Sequence, residues 1–340
     1  MNRMAPMSPR GYILPLTLAV LVMLALIAAT VGNIAGLAID QAVASRKRGE
    51  AEYAITSAES QLLHMLAVLP RTTRGIGDGP SPIRADGRPY LLNDKIVVRI
   101  QDLRGLLPLN PNLESEAAHD RLAALLRTYN LNEAEIGRLL DSLKDYRDAD
   151  SLQRLNGADG RDARASLAIR NDDLLDPAEL NRIKTWAEAT SRWKSDPLDH
   201  YVDVHRQMAF NPNVAPARVI AATAGIKLDR AQASGAARTP NPALDIAPVL
   251  FNALGDPFGA SGFILRMTGP SLRIRLHYQG HLWAREFVVH HTPDEVEAPW
   301  RISRSRQVPL LAAVVEPPPP TLPAIGALRP VIAPRIEYRF

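Results

Sequence analysis

Between Arg10 and Asp40 no side chain carries a charge. The centre of this run, Leu16-Thr17-Leu18-Ala19-Val20-Leu21-Val22-Met23-Leu24-Ala25-Leu26-Ile27-Ala28-Ala29, is almost wholly aliphatic. Roughly 20 apolar residues suffice for a helix to cross a bilayer, so residues 12–39 read as a transmembrane helix with length to spare. Arg3 and Arg10 lie on its N-terminal side. The positive-inside rule then keeps the short N-terminus in the cytoplasm and sends the rest of the chain across.

A secretory signal peptide is the competing reading. Its apolar region is shorter, about 7–15 residues, and a small-residue cleavage site follows; Ala28-Ala29-Thr30-Val31-Gly32 imitates such a site. The pattern beyond the run argues against it. Ala51, Ala54/Ile55, Ala58, Leu62, Met65/Leu66 and Leu69 recur at three- to four-residue spacing until Pro70. Residues 40–70 thus continue the apolar helix as an amphipathic one. Together they predict one rod of roughly 55 residues, about 80 Å at 1.5 Å per residue.

The remaining sequence predicts an α+β domain with the helices grouped together. Residues 71–89 are rich in Gly and Pro and read as a loop, followed by a β-branched strand at 95–101. Helical periodicity covers 114–129 and 132–146. A third helix starts at Asp176-Pro177-Ala178-Glu179, with Asp as cap, Pro at the first helical position and Glu closing a capping box. Another short helix follows Asn211-Pro212-Asn213 and closes at Gly225; residues 243–254 also read as helical. The period then becomes two, predicting antiparallel strands at 262–268, 271–279 and 281–290. Residues 309–340 are Pro-rich and read as an extended or disordered tail. The domain plan is therefore a first strand within 71–101, an inserted all-α region at 102–255, and returning strands within 256–308.

The junction Ser8-Pro9-Arg10-Gly11-Tyr12-Ile13-Leu14-Pro15-Leu16 resembles the prepilin-peptidase site of type IV pilins. The resemblance implies a leader at residues 1–11, cleavage between Gly11 and Tyr12, and N-methylation of Tyr12. Most pilins carry glutamate as the fifth mature residue; here it is Leu16, a departure that marks the K-type minor pseudopilin of type II secretion. Four downstream blocks resemble that family in order: Asp102-Leu103-Arg104-Gly105-Leu106-Leu107-Pro108-Leu109-Asn110; Leu139 to Asp150 followed by Asn156-Gly157-Ala158-Asp159; the segment ending in Glu179-Leu180; and Asn211-Pro212-Asn213-Val214-Ala215-Pro216. Asp159 stands where the family has Glu, Val214 where it has Thr, and the aromatic expected after Asp159 is missing. The resemblance implies a pilin-like antiparallel sheet carrying a SAM-like helical insert, with turns defined by Asn110, Asn112, Asn211 and Asn213. It implies a single-pass inner-membrane protein with its bulk in the periplasm, at the tip of the pseudopilus. Its partners would be the I- and J-type minor pseudopilins and the prepilin peptidase.

Chemistry is sparse. The 340 residues contain no cysteine, which excludes disulfides and thiolate chemistry. A net charge of +4 with no long basic run argues against nucleic acid. Neither G-x-S-x-G nor a phosphate-cradling G-x-x-x-x-G-K is present. Asp141, Asp145, Asp148, Asp150, Asp159 and Asp162 form an acidic cluster of hard oxygen donors. The resemblance implies calcium there, with Asp148, Asp150 and Asp159 as ligands; neutralisation by Arg147, Arg154, Arg161 and Arg164 is the alternative. The histidines show no zinc-ligand spacing and read as surface or core residues. The chain is expected to be a structural, assembling protein rather than an enzyme. A membrane-anchored metal-dependent enzyme and a DNA-uptake or type IV pilus minor pilin are the rival readings.

Overall fold

A computed structural model describes residues 13–110, 115–148, 154, 171–206, 209–237, 265–310 and 318–328. The chain divides into two compact units, residues 1–56 and 57–340. In the first, the described residues belong to helix α1 (Ile13–Val68), which runs on into the second. Its apolar part is exposed on every side, with Leu14, Leu18, Leu21, Met23 and Leu26 all bare.

The second unit is built on a sheet. After α1 come two short strands, β1 (Arg71–Thr72) and β2 (Gly75–Ile76), paired with each other. Strands β3 (Asp86–Leu92) and β4 (Ile96–Asp102) form a hairpin. A 3-10 turn then leads into β5 (Leu107–Pro108). Helices α2 (Glu116–Arg127) and α3 (Glu133–Arg147) follow, then a 3-10 segment at Pro177–Arg182 and α4 (Lys184–Thr190). Strand β6 (Val202–Asp203) pairs in parallel with β5 and precedes α5 (Ala217–Ala224) and α6 (Leu228–Ala237). The chain returns as β7 (Ser271–Tyr278), β8 (Trp283–His291) and β9 (Trp300–Pro309). The five-stranded sheet has the order β3-β4-β7-β8-β9 and is antiparallel throughout.

Strand register sorts the side chains into two faces. Val98, Leu276 and Arg285 share one row, and Ile100, Ile274 and Phe287 the next. This apolar face meets the end of α1: Leu66 and Ala67 line a slot with Leu272 and Val289, and Arg285 pairs with Glu59 at 3.3 Å. Ala58, Leu62, Met65, Leu66 and Leu69 are buried there. The opposite face carries Arg273, Arg275, Glu286, Arg304 and Arg306, and it receives the helical insert.

The insert occupies the connection between β4 and β7, which are neighbours in the sheet. Its own core gathers Leu125, Leu126, Leu139, Leu143, Leu180 and Trp186; the Trp186 indole N–H donates to Leu139 O at 2.8 Å. The capping box at Asp176 and Glu179 forms as expected, and Gly225 closes α5 in the left-handed region at φ 66°.

Several expectations need correction. The Gly/Pro-rich stretch before the 95–101 strand contains β3. Pro89 is tolerated there because β3 is an edge strand, and its register shifts between Asp86 and Pro89. No strand forms at 265–268, where Leu265 N–H instead bonds Phe210 O and Thr268 N–H bonds Thr72 O. The sheet therefore resumes at Ser271, and its last strand, β9, reaches Pro309. Part of the tail is docked: Leu91 N–H donates to Pro320 O and Leu322 N–H to Leu91 O, while Leu322 and Leu328 are buried. The helix expected at 243–254 lies outside the described residues.

Candidate functional site

Three regions could carry function: the bare apolar helix, the acidic end of α3, and the joint between insert and sheet. Among the described residues, α1 alone is long and apolar enough to cross a membrane. A helix that is apolar all round is stable only when covered by protein or lipid. Gly11 and Tyr12 lie outside the described residues.

The asparagine turns hold the insert in place. Asn110 is buried; its side-chain N–H groups donate to Leu174 O and Val204 O at 2.8 Å, and its Oδ1 accepts from Leu174 N–H at 3.0 Å. Asn211 is fully buried, donates its backbone N–H to Arg104 O, and accepts from Asn213 N–H at 3.1 Å. Asn213 is buried beside it. Both turns are therefore internal struts. Asn112 lies outside the described residues.

At the stem of the insert, Asp102 is fully buried. One of its oxygens accepts from Arg104 N–H at 3.0 Å and the other from Gly269 N–H at 2.7 Å. Arg104 also donates to Met267 O. A Cβ at Gly269 would lie 2.6 Å from Asp102 Oδ1 and from Arg104 Nε, so a side chain there would force both of these groups to shift.

Of the expected calcium ligands, Asp150 and Asp159 lie outside the described residues. Asp148 caps α3 at its C-terminal end. The Arg154 guanidinium bridges Asp148 Oδ2 and Asp145 Oδ1, the latter at 2.7 Å. Arg147 pairs with Asp173 at 2.7 Å. The neutralising arrangement thus holds for these carboxylates. Asp148 Oδ1 is buried and takes no hydrogen bond among the described residues, which suits a hard cation. Calcium takes six to eight oxygens, so this single free oxygen fits the ion only as one member of a larger set.

Among the described residues, buried charges gather at the joint between insert and sheet. Glu286 is fully buried between Arg275 at 2.6 Å and Arg306 at 2.7 Å. Asp203 accepts from Arg304 at 2.9 Å and lies 3.9 Å from Arg273. Arg306 also reaches Asp176, and Arg275 lies 3.7 Å from Asp199. The Arg273 guanidinium donates to Asp199 O at 2.7 Å and to Val202 O at 3.3 Å. Burial alone would raise the Glu286 carboxyl, but Arg273, Arg275 and Arg306 overcome it and hold the group at about 2. Asp203 is likewise buried, and its bonds to His205 with the charges of Arg273 and Arg304 push it well below the usual range.

His205 and His290 belong to this joint, although their spacing in sequence gave no sign of it. His205 Nδ1 lies 2.6 Å from Asp203 Oδ1, and both rings direct Nε2 at Ser303 Oγ, at 3.2 and 2.8 Å. A motif search finds ligands close in sequence; these meet only because β6 and β8 are brought together by the insert's docking.

No protein-family model and no curated protein matches the sequence. The fold is similar to that of a chain in the crystal structure of the GspK-GspI-GspJ complex from the enterotoxigenic Escherichia coli type 2 secretion system. The TM-score is 0.54 at 15% identity, covering 79% of this chain and 99% of that one. The likeness is one of fold, and it accords with the long helix, antiparallel sheet and helical insert described above.

Proposed function

We propose that this chain is a K-type minor pseudopilin of a type II secretion machine. Its apolar helix anchors it in the inner membrane with the N-terminus cytoplasmic and the folded unit periplasmic. The chain is cut between Gly11 and Tyr12 by the prepilin peptidase and methylated at Tyr12. It then joins I- and J-type subunits at the pseudopilus tip, starts assembly there and supports export across the outer membrane. Its role is structural rather than enzymatic. Calcium, held by Asp148 with Asp150 and Asp159, would hold the segment that follows α3.

One observation carries this reading: a single helix is bare and apolar through its first half, while its end is packed under an antiparallel sheet. Lipid and neighbouring helices are the covers such a surface needs. The absence of a carboxylate at Leu16 agrees with a subunit that seeks no partner's N-terminal amine. Intact-mass and N-terminal analysis of the chain from its native membrane tests the proposal. A mature chain beginning at methylated Tyr12 supports it. A chain beginning at Met1, or cut after residue 28 or later, overturns it.

A further inference from the structure

The joint between insert and sheet contains an arrangement that charge neutralisation does not require. His205, just beyond β6 in the insert, and His290, on β8, face each other with ring centroids 4.9 Å apart and planes at 54°. Each ring is fixed from behind through Nδ1: His205 by Asp203 Oδ1 at 2.6 Å, His290 by Ser271 Oγ at 2.9 Å. Asp203 is buried and ionised, so it accepts the Nδ1–H of His205 and leaves a lone pair on Nε2. Ser271 Oγ can accept the Nδ1–H of His290 in the same way. Both Nε2 atoms then point at Ser303 Oγ.

Ser303 owes its place to a bulge. Val288 pairs with Arg304 and Val289 with Ile302, leaving Ser303 as the extra residue of β9. The bulge puts Ser303 and Arg304 on the same side, one toward the two imidazoles and the other toward Asp203. Ser303 itself is exposed, so the point where the nitrogens converge is open to solvent.

We propose that His205 Nε2 and His290 Nε2 form a site for a borderline divalent transition-metal ion, zinc being the simplest probe, with water completing the coordination once the Ser303 hydroxyl turns out of the point it now occupies between the two nitrogens. Zn–N bonds of about 2.0–2.1 Å at a tetrahedral angle place two imidazole centroids about 5 Å apart, which the present rings match. An imidazole whose other nitrogen is held by a carboxylate or hydroxyl is the usual second layer of a metal ligand. Neutral imidazole suits zinc, copper and nickel rather than calcium, so this site is chemically separate from the acidic end of α3. Asp203, His205 and Ser303 also have the order of a nucleophilic triad. However, a second imidazole converges on the same oxygen, and that supplies a ligand rather than a base. The bound ion would staple the insert to the sheet across the joint.

The test uses the full-length chain in detergent, stripped with a chelator and titrated with zinc chloride by calorimetry. We expect one ion per chain in the micromolar range and a rise in melting temperature. His205→Ala and His290→Ala should each weaken binding more than tenfold, and Ser271→Ala about tenfold. Ser303→Cys should tighten binding at least tenfold by adding a thiolate, and it remains informative if a histidine variant fails to fold. Undiminished binding in folded His205→Ala and His290→Ala overturns the proposal. So does the absence of zinc binding by the parent chain, whatever Ser303→Cys does, because that variant adds a ligand the chain does not have.

Discussion

The Asp102 carboxylate accepts a hydrogen bond from the Gly269 backbone N–H at 2.7 Å, tying the point where the chain leaves the sheet to the point where it returns. The insert is thus gripped at its stem and held flat against the sheet by a second, larger contact: the arginine–carboxylate joint.

Asp102→Ala leaves the Gly269 and Arg104 N–H groups without their acceptor in a dry site, and losing charged hydrogen bonds of this kind costs about 1.5–3 kcal/mol each. Gly269→Ala should destabilise by steric contact with Asp102 and Arg104 alone. Urea unfolding should show both variants less stable, and parental stability in Gly269→Ala would contradict the geometry.

The joint should respond to the loss of one partner more than to the loss of a row. Glu286→Ala leaves Arg275 and Arg306 facing each other without their shared carboxylate, at an expected cost of about 3–5 kcal/mol. Limited proteolysis should then cut the insert more quickly than in the parent chain.

Acid should open the same joint. Burial comes first among the causes that lower His290 and His200, whose Nε2 lies 3.1 Å from Arg275 Nη1, below 6.5, so protonating either is disfavoured in the fold and stability starts to fall below that pH. Glu286 is depressed from 4.5 to about 2. Its contribution is complete above 4.5 and is lost as pH drops toward 2. Asp203 acts with the same sign. Melting temperature should therefore be level above 6.5, decline below it, and fall most steeply below 4.5. Glu286→Gln should flatten that last limb.

If calcium binds at the end of α3 as proposed, Arg154 competes with it for the same oxygens. Arg154→Gln frees Asp145 Oδ1 and Asp148 Oδ2, so calcium affinity should rise, and Asp148→Asn should abolish the gain. Calorimetric titration of the three chains decides this. Equal affinities would mean that calcium does not use Asp148.

The docked part of the tail is a stabilising element. Leu328 is almost fully buried and packs on Gly77, so Leu328→Ala should cost about 2–5 kcal/mol by urea unfolding. A cost near zero would show that the tail is not held.

The sequence disclosed what local chemistry dictates. The uncharged run gave α1, the Asp176–Glu179 pair gave its capping box, and β-branched periodicity gave β4, β7 and β8 to within a few residues. It concealed β3 because Gly87 and Pro89 are turn residues everywhere except at a bulged edge. It concealed β9 because Arg301, Ser303, Arg304, Ser305 and Arg306 look like a solvated segment until Asp176, Asp203 and Glu286 are set against them. The same holds for His205 and His290, whose meeting depends on docking and on one extra residue in β9. Charge that is paired across distant segments carries no local signature.

The adjacency of β4 and β7 also dictates an order of folding. Asp102 and Leu272 are register partners, yet residues 103–271 separate them, so their pairing closes one of the longest loops in the chain. Closing such a loop from a disordered chain is slow and entropically costly. An insert that has already condensed brings its two ends together and removes most of that loss. The helices around Trp186 are thus expected to assemble before the sheet zips, so that the domain closes around a finished insert.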